Sequence, residues 1–167
     1  FNVLGPMANP AGLKRQLIGV YDRALCRPVA EVLQRLGSQH VLVVHSDDGL
    51  DEISLAADTH VAELKDGKVS EYTLQPEQLG FERESMQDLA VDGSASSLAL
   101  IKAALANEKD ARSQRAAHMI ALNAGAALYV AGIAGSVFDG VSLANEVLAS
   151  GAGLEKMKQL ADMTQSF

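Results

Sequence analysis

The chain has 167 residues, of which 48% are hydrophobic and 21% are charged, and its formal net charge is −7. This length suits one domain with a core of its own, and the composition is that of an ordinary globular protein. The negative charge argues against non-specific nucleic-acid binding and against a basic membrane-binding surface. The only cysteine, Cys26, excludes an internal disulfide and suits a reducing compartment, so we expect a cytoplasmic protein.

The first part of the chain predicts a strand–helix–strand unit. Residues 17–21 form a short predicted strand, Asp22 can cap the helix that follows, and Gly37 ends that helix. Residues 41–45 are mostly β-branched and stop at a polar loop, which is typical of a buried strand in a parallel sheet. We therefore expect the two strands to be adjacent and parallel, with a right-handed crossover.

The rest of the chain predicts a hairpin and a helical half. Asp66-Gly67 separates two strand-like runs, which indicates a β-hairpin at about 59–75. Residues 81–93 are predicted to be irregular, and helices are predicted at 94–107, 111–131, 137–150 and 153–163. We expect an α/β fold: a central, mostly parallel sheet flanked by helices, with this hairpin and a helical C-terminal half.

A long run of apolar and small residues, 116–134, has the length of a membrane span. His118, Asn123 and the many Ala and Gly residues argue against that interpretation. A central helix buried between other elements is the better prediction, and the polar Asn123 then needs a structural hydrogen-bond partner.

The most informative stretch is the loop after strand 41–45. It carries Asp47, Asp48, Asp51 and Glu52 within six residues. Ligands of open α/β sheets bind at the carboxyl ends of strands, and Mg²⁺ prefers one or two carboxylates together with substrate phosphates. The alternative is a solvated acidic turn that leads into a helix. The residues alone leave both interpretations open.

Other candidate residues carry weaker signals. The Pro- and Gly-containing stretch 1–12 either lines a pocket or is a plain connection. His45 has the right place for an acid or base, but a hydrogen bond from its ring to the backbone is the preferred interpretation. Cys26 is predicted to be a core residue. The sequence contains neither Gly-x-Gly-x-x-Gly nor a Walker loop, so we expect this chain alone not to cradle a nucleotide phosphate.

Two motifs together resemble the anthranilate phosphoribosyltransferase family. Residues 1–10, Phe-Asn-Val-Leu-Gly-Pro-Met-Ala-Asn-Pro, are similar to its FN-hydrophobic-LGP-x-x-NP signature. Residues 43–52, Val-Val-His-Ser-Asp-Asp-Gly-Leu-Asp-Glu, match its VVH-x-x-DGLDE motif. Shorter segments also fall where that family has them: Gly19-Val20-Tyr21, Glu63-Leu64, Leu122-Asn123-Ala124 and Leu128-Tyr129.

The resemblance covers the whole chain but not a whole family member, which has a two-domain length about twice this one. It implies that residues 1–167 are a single α/β domain, the C-terminal part of a two-domain enzyme. The start at Phe1, directly in a structured motif, agrees with a longer parent protein. In the family, the amino-terminal part supplies the phosphate loop and most of the helical domain.

The resemblance also implies a reaction: transfer of the phosphoribosyl group of phosphoribosyl pyrophosphate (PRPP) to the amine of anthranilate in tryptophan biosynthesis. By this resemblance, Asp51 and Glu52 bind the cofactor Mg²⁺, and Pro6 lines the entry of the aromatic substrate. No residue is assigned as a catalytic acid or base. Asp47 and Asp48 are then solvated turn residues. The partners implied are the two small substrates, without nucleic acid or membrane. The full-length enzyme is expected to be a homodimer. This chain alone is expected to be monomeric and inactive.

Two other interpretations stay open. A pyrimidine nucleoside phosphorylase would have a related fold, although the Asp-Gly-Leu-Asp-Glu loop argues against it. A non-catalytic binding module could keep the same fold, although intact Asp51 and Glu52 argue against a loss of activity. A glycine-rich phosphate loop upstream in the parent sequence would favour the enzyme.

Overall fold

The computed structural model describes residues 4–166, and within them a four-stranded sheet has helices on both faces. The strands are β1 (Arg15–Gly19), β2 (His40–Ser46), β3 (Thr59–Lys65) and β4 (Lys68–Leu74), in the sheet order β1-β2-β3-β4. The helices are α1 (Leu4–Met7), α2 (Cys26–Arg35), α3 (Ser94–Leu105), α4 (Ala111–Ala131), α5 (Val137–Ala149) and α6 (Ala152–Thr164). The predicted α/β class and helical C-terminal half are confirmed.

The direction of the strands follows the prediction only in part. Strands β1 and β2 are parallel and adjacent as expected, although β1 lies two residues earlier than the predicted 17–21. Strands β3 and β4 both pair antiparallel, so the expectation of a mostly parallel sheet is wrong. The reason lies in residues 47–58, which contain no helix. A parallel pairing of β2 with β3 needs a long crossover, usually a helix, and this loop does not provide one.

The predicted hairpin is confirmed at Asp66-Gly67. The two turn residues have φ of +50° and +73°, the left-handed backbone that a two-residue hairpin turn requires. Glycine adopts it without a steric penalty, and aspartate tolerates it better than most residues. Lys65 and Lys68 then pair across the turn, and this two-residue turn sets the register of β3 and β4.

Two of the core clusters lie on the two faces of β2, and a smaller one lies between the C-terminal helices. Leu42 and Val44 pack towards α4, whereas Val41 and Val43 pack towards α2. All four side chains are at most 1% exposed, which explains why this strand is apolar at successive positions instead of alternating.

Helix α4 is the central helix of the C-terminal half, with the bounds that the sequence predicts. The Asp110 carboxylate accepts a hydrogen bond from the Ser113 N–H at its start, and Gly132, with φ of +80°, ends it. Its buried positions include Leu122, Ala126 and Val130, which pack against the sheet. Among residues 4–166, no helix is long and apolar enough to cross a membrane.

Helices α4 and α5 approach so closely that only glycine fits at their crossing. A Cβ at Gly125 would lie 2.4 Å from the Val141 nitrogen, and one at Gly140 would lie 2.1 Å from the Gly125 carbonyl oxygen. We expect Gly125→Ala and Gly140→Ala each to lower the free energy of unfolding by about 1–3 kcal/mol, because backbone atoms must move apart. Denaturant unfolding measures this. Gly5→Ala, whose added Cβ would meet nothing within 4 Å, is the control and should not lower the free energy of unfolding.

Candidate active site

The acidic loop lies at the carboxyl end of β2, as the sequence predicts. The Gly49 N–H donates to the Ser46 carbonyl at 2.9 Å, and the Ser46 N–H donates to the Leu50 carbonyl at 2.9 Å. Gly49 has φ of +91°, so the turn reverses the chain within a few residues. This turn directs the following residues, Asp51 and Glu52, back across the end of β1.

Buried hydroxyl groups hold the second half of the loop. The Ser46 hydroxyl donates to the Glu52 carbonyl at 2.5 Å and lies 2.7 Å from the Thr59 hydroxyl. Because the single hydroxyl proton of Ser46 is used on Glu52, Thr59 must donate to Ser46. Thr59 in turn accepts the Ser54 N–H at 3.2 Å. The backbone on both sides of the acidic pair is therefore tied to the ends of β2 and β3.

Two further residues fix the backbone of the acidic pair. Gly19, the last residue of β1, lies so close that a Cβ there would be 1.5 Å from the Asp51 carbonyl oxygen. Asn123 of α4 forms hydrogen bonds to both backbone polar groups of Ile53, the residue after the acidic pair. Its Oδ1 accepts the Ile53 N–H at 3.0 Å, and its Nδ2 donates to the Ile53 carbonyl at 2.9 Å. The predicted structural role of Asn123 is confirmed. The sequence alone did not identify its partner.

The four acidic side chains have different surroundings. Asp47, Asp51 and Glu52 are exposed, and within residues 4–166 their carboxylates form no hydrogen bond or ion pair. Asp48 is also exposed, but its carboxylate accepts the Ser54 hydroxyl at 2.6 Å and the Leu50 N–H at 3.3 Å. The interpretation of Asp48 as a merely solvated turn residue is therefore wrong, because it stabilises the loop.

Asp51 and Glu52 open onto a cleft of about 530 Å³ between the sheet and α4. Asp51 also lines a smaller pocket of about 140 Å³ on the other side of β1, together with the half-buried Pro6 and with Tyr21. The structure therefore brings Pro6 and the acidic pair to one region. The rest of the motif at residues 1–3 lies outside the described residues.

The acidic pair fits a magnesium ion that is shared with a substrate. Within residues 4–166, no group of three or more His, Cys, Asp or Glu side chains could hold a metal ion by itself. Mg²⁺ does not need such a cage, because it keeps several waters and binds one or two carboxylates together with phosphate oxygens. Asp51 and Glu52 are neighbours, exposed and free of other partners among the described residues, which is the donor set that such an ion requires.

His45 and Cys26, the two candidates considered from the sequence, have structural roles. The Nδ1 of His45 lies 2.8 Å from the Val20 carbonyl oxygen, and because a carbonyl only accepts, this nitrogen carries the proton. His45 thus bonds the backbone, as preferred from the sequence. Cys26 is fully buried in the α2 layer, and burial raises the pKa of its thiol to about 11. The thiolate that a nucleophile needs is therefore scarce at neutral pH.

A third side of the cleft comes from residues 81–93, whose role the sequence did not suggest. Met86 and Leu89 of this segment line a cavity of about 370 Å³ together with the acidic pair. Glu84 ties the segment to α4, because it accepts from Arg115 at 3.0 Å and pairs with His118 at 2.7 Å. Burial disfavours the charge of Glu84, but the hydrogen bonds from His118 and Arg115 outweigh it and lower its pKa. These partners are about thirty positions apart, so no local pattern marks them.

Comparisons with known proteins identify the family of this chain. A model of the glycosyl transferase family, α/β domain, matches residues 1–154. The anthranilate phosphoribosyltransferase of Marinobacter nauticus is 59% identical over all of this chain and 49% of its own length. The enzyme of that name from Azotobacter vinelandii is 57% identical over all of this chain and 48% of its length. The chain thus spans about half the length of the curated relatives it matches.

Solved structures show the same relationship. The crystal structure of anthranilate phosphoribosyltransferase from Thermus thermophilus is 36% identical, with a TM-score of 0.82 over 94% of this chain and 45% of that one. The Saccharomyces cerevisiae enzyme, solved in complex with PRPP and Mg, is 22% identical with a TM-score of 0.84 over 98% of this chain and 46% of that one, and it shares the fold. With a family model that matches most of its length, the chain belongs to the glycosyl transferase family and corresponds to its α/β domain.

Proposed function

We propose that the protein containing this chain is an anthranilate phosphoribosyltransferase of tryptophan biosynthesis, and that this chain is its C-terminal α/β domain. The reaction transfers the phosphoribosyl group of PRPP to the amine of anthranilate, and pyrophosphate leaves. The observation that carries the proposal is the exposed Asp51–Glu52 pair, which has no other partner within residues 4–166 and opens onto a cleft. The relatives of that name, 59% and 57% identical over the whole chain, support the choice of substrates.

The charge changes of this reaction explain why an acidic pair is useful. When the bond from ribose C1 to pyrophosphate breaks, positive charge develops on the sugar and negative charge on the leaving group. Asp51 and Glu52 are proposed to hold Mg²⁺, which when bound neutralises the charge on pyrophosphate without a proton. Both neighbours reach the cleft because they lie in a loop, whereas adjacent residues of a strand point to opposite faces.

The aromatic substrate is proposed to enter on the side of Pro6. The support for this proposal is that Pro6 and Asp51 line the same small pocket. The amine of anthranilate is weakly basic and needs no strong general base. The hydrogen bond from His45 to the backbone is therefore compatible with this reaction. From the same family resemblance, we propose that the full-length protein is a cytoplasmic homodimer. A measurement of its mass in solution tests whether it is a dimer.

The decisive experiment is an assay of the purified full-length protein with PRPP, anthranilate and Mg²⁺, followed by the loss of anthranilate fluorescence. We expect turnover that requires all three components and stops when a chelator removes the metal. The same preparation is tested for phosphorolysis of uridine and thymidine. Phosphorolysis without consumption of anthranilate would favour the nucleoside phosphorylase. Ligand binding without either reaction would favour a non-catalytic module.

A further inference from the structure

We propose that Asn123 of α4 is a positioning residue for the acidic pair, fixing the backbone from which Asp51 and Glu52 project; this inference rests on the proposed magnesium site. Its carboxamide holds both backbone polar groups of Ile53, the residue directly after Glu52. The Ile53 N–H donates to Oδ1 at 3.0 Å, and Nδ2 donates to the Ile53 carbonyl at 2.9 Å. Nδ2 also donates to the Met119 carbonyl, one helical turn earlier, at 3.1 Å.

The hydrogen-bond pattern determines the orientation of this amide. If the carboxamide were rotated by half a turn, Oδ1 would face the carbonyl oxygens of Ile53 and Met119, and Nδ2 would face the Ile53 N–H. All three contacts would then be repulsive. In the observed orientation both N–H groups of Nδ2 are used, so Asn123 has no donor left for a substrate although it lines the same cleft. Towards phosphate oxygens, which only accept hydrogen bonds, its contribution therefore passes through the loop.

Ile53 is the point at which the loop enters the core. Its side chain is 2% exposed and the next two residues, Ser54 and Leu55, are fully buried, whereas Glu52 before it is exposed. Buried backbone N–H and C=O groups must be paired, so without Asn123 this part of the loop would have to shift to find water or another partner. Such a shift moves the adjacent Glu52 and Asp51 with it.

No other helix side chain within residues 4–166 forms a hydrogen bond to the backbone of residues 51–53. Ser46, which holds the Glu52 carbonyl, lies in β2, and the close approach of Gly19 comes from β1. Asn123 therefore links the acidic pair to α4, which forms the opposite wall of the cleft through Met119 and Ile120. Mutation of residues that orient metal ligands typically costs about 10- to 100-fold in metal affinity or activity.

The experiment compares Asn123→Leu, which has a similar volume but no hydrogen-bonding group, with Asp51→Asn and with the control Asp47→Asn in the full-length protein. Mn²⁺ affinity in the presence of PRPP, read by electron paramagnetic resonance, is the main measurement. We expect Asn123→Leu to weaken Mn²⁺ binding roughly 10- to 100-fold, as such residues do elsewhere. The KM for anthranilate should change little, kcat should recover in part at high Mg²⁺, and Asp47→Asn should match wild type.

The outcomes separate this inference from the proposed function. If Asp51→Asn weakens Mn²⁺ binding and Asn123→Leu does not, the positioning role is overturned and the metal site stands. If neither variant changes Mn²⁺ affinity, both proposals fail. A lower melting temperature with wild-type Mn²⁺ affinity also overturns the positioning role, since it leaves only a structural one. If Asn123→Leu does not fold, Asn123→Gln, which keeps the amide on a longer side chain, is judged by the same Mn²⁺ criterion.

Discussion

In the full-length protein, Asp51→Asn and Glu52→Gln are each expected to lower kcat about 10²- to 10³-fold at limiting Mg²⁺, the range for removal of one group that stabilises transition-state charge. Each substitution removes one negative charge and keeps the shape of the side chain. A metal held by two carboxylates and substrate phosphates then binds more weakly, so part of the loss should return at high Mg²⁺. The KM for anthranilate should change little. Steady-state kinetics across a Mg²⁺ titration measure all of these effects.

The control for this experiment is Asp47→Asn. Asp47 lies in the same loop and is exposed, and its carboxylate has no hydrogen bond or ion pair within the described part of the chain. Asp48→Asn is unsuitable, because the Asp48 carboxylate holds Ser54 and Leu50 and its loss would disturb the loop. Wild-type rates for both site variants at limiting Mg²⁺, or an equal loss in Asp47→Asn, would show that the metal lies elsewhere.

The parts of the fold that the sequence predicted have local causes. Asp66-Gly67 determines the hairpin because its two residues accept positive φ, a property of those residue types alone. Helix α4 begins after a capping aspartate, Asp110, and ends at Gly132, and both signals lie within a turn of the helix end. Strand β2 is apolar at successive positions because both of its faces are covered.

The parts that the sequence missed depend on contacts between distant residues. The direction of β3 is set by the geometry of the loop before it, and its side-chain pattern would be the same in a parallel pairing. A polar Asn123 in an otherwise apolar stretch of helix indicates that a partner exists, but Ile53 lies 70 positions away and nothing local marks it. The acidic pair itself stood out only as an excess of carboxylates. The resemblance singled out Asp51 and Glu52, and the structure distinguishes Asp48 by its hydrogen bonds.

Gly19→Ala is expected to lower kcat/KM about 10²-fold or more, the loss associated with a displacement of about 1 Å at a reacting centre. The added Cβ would lie 1.5 Å from the Asp51 carbonyl oxygen and 2.5 Å from the Asp51 carbonyl carbon, which are both backbone atoms. The loop would have to move away from β1 and would carry both carboxylates with it. High Mg²⁺ should therefore restore less activity than in Asp51→Asn, because the direction of the ligands is changed as well as their affinity. The Mg²⁺ titration distinguishes these two cases.

The effect at Gly19 is one of space and not of backbone conformation, since its φ does not lie in the left-handed region. Gly135→Ala is the matched control, because a Cβ there meets only the carboxylate oxygen of Asp139, at 3.4 Å, and its φ does not lie in the left-handed region. It should keep wild-type kinetics across the same titration, and the melting temperature of both variants identifies any general loss of folding. Wild-type kinetics in Gly19→Ala would mean that the loop moves aside without cost, and the close approach of β1 would then not determine where Asp51 and Glu52 point.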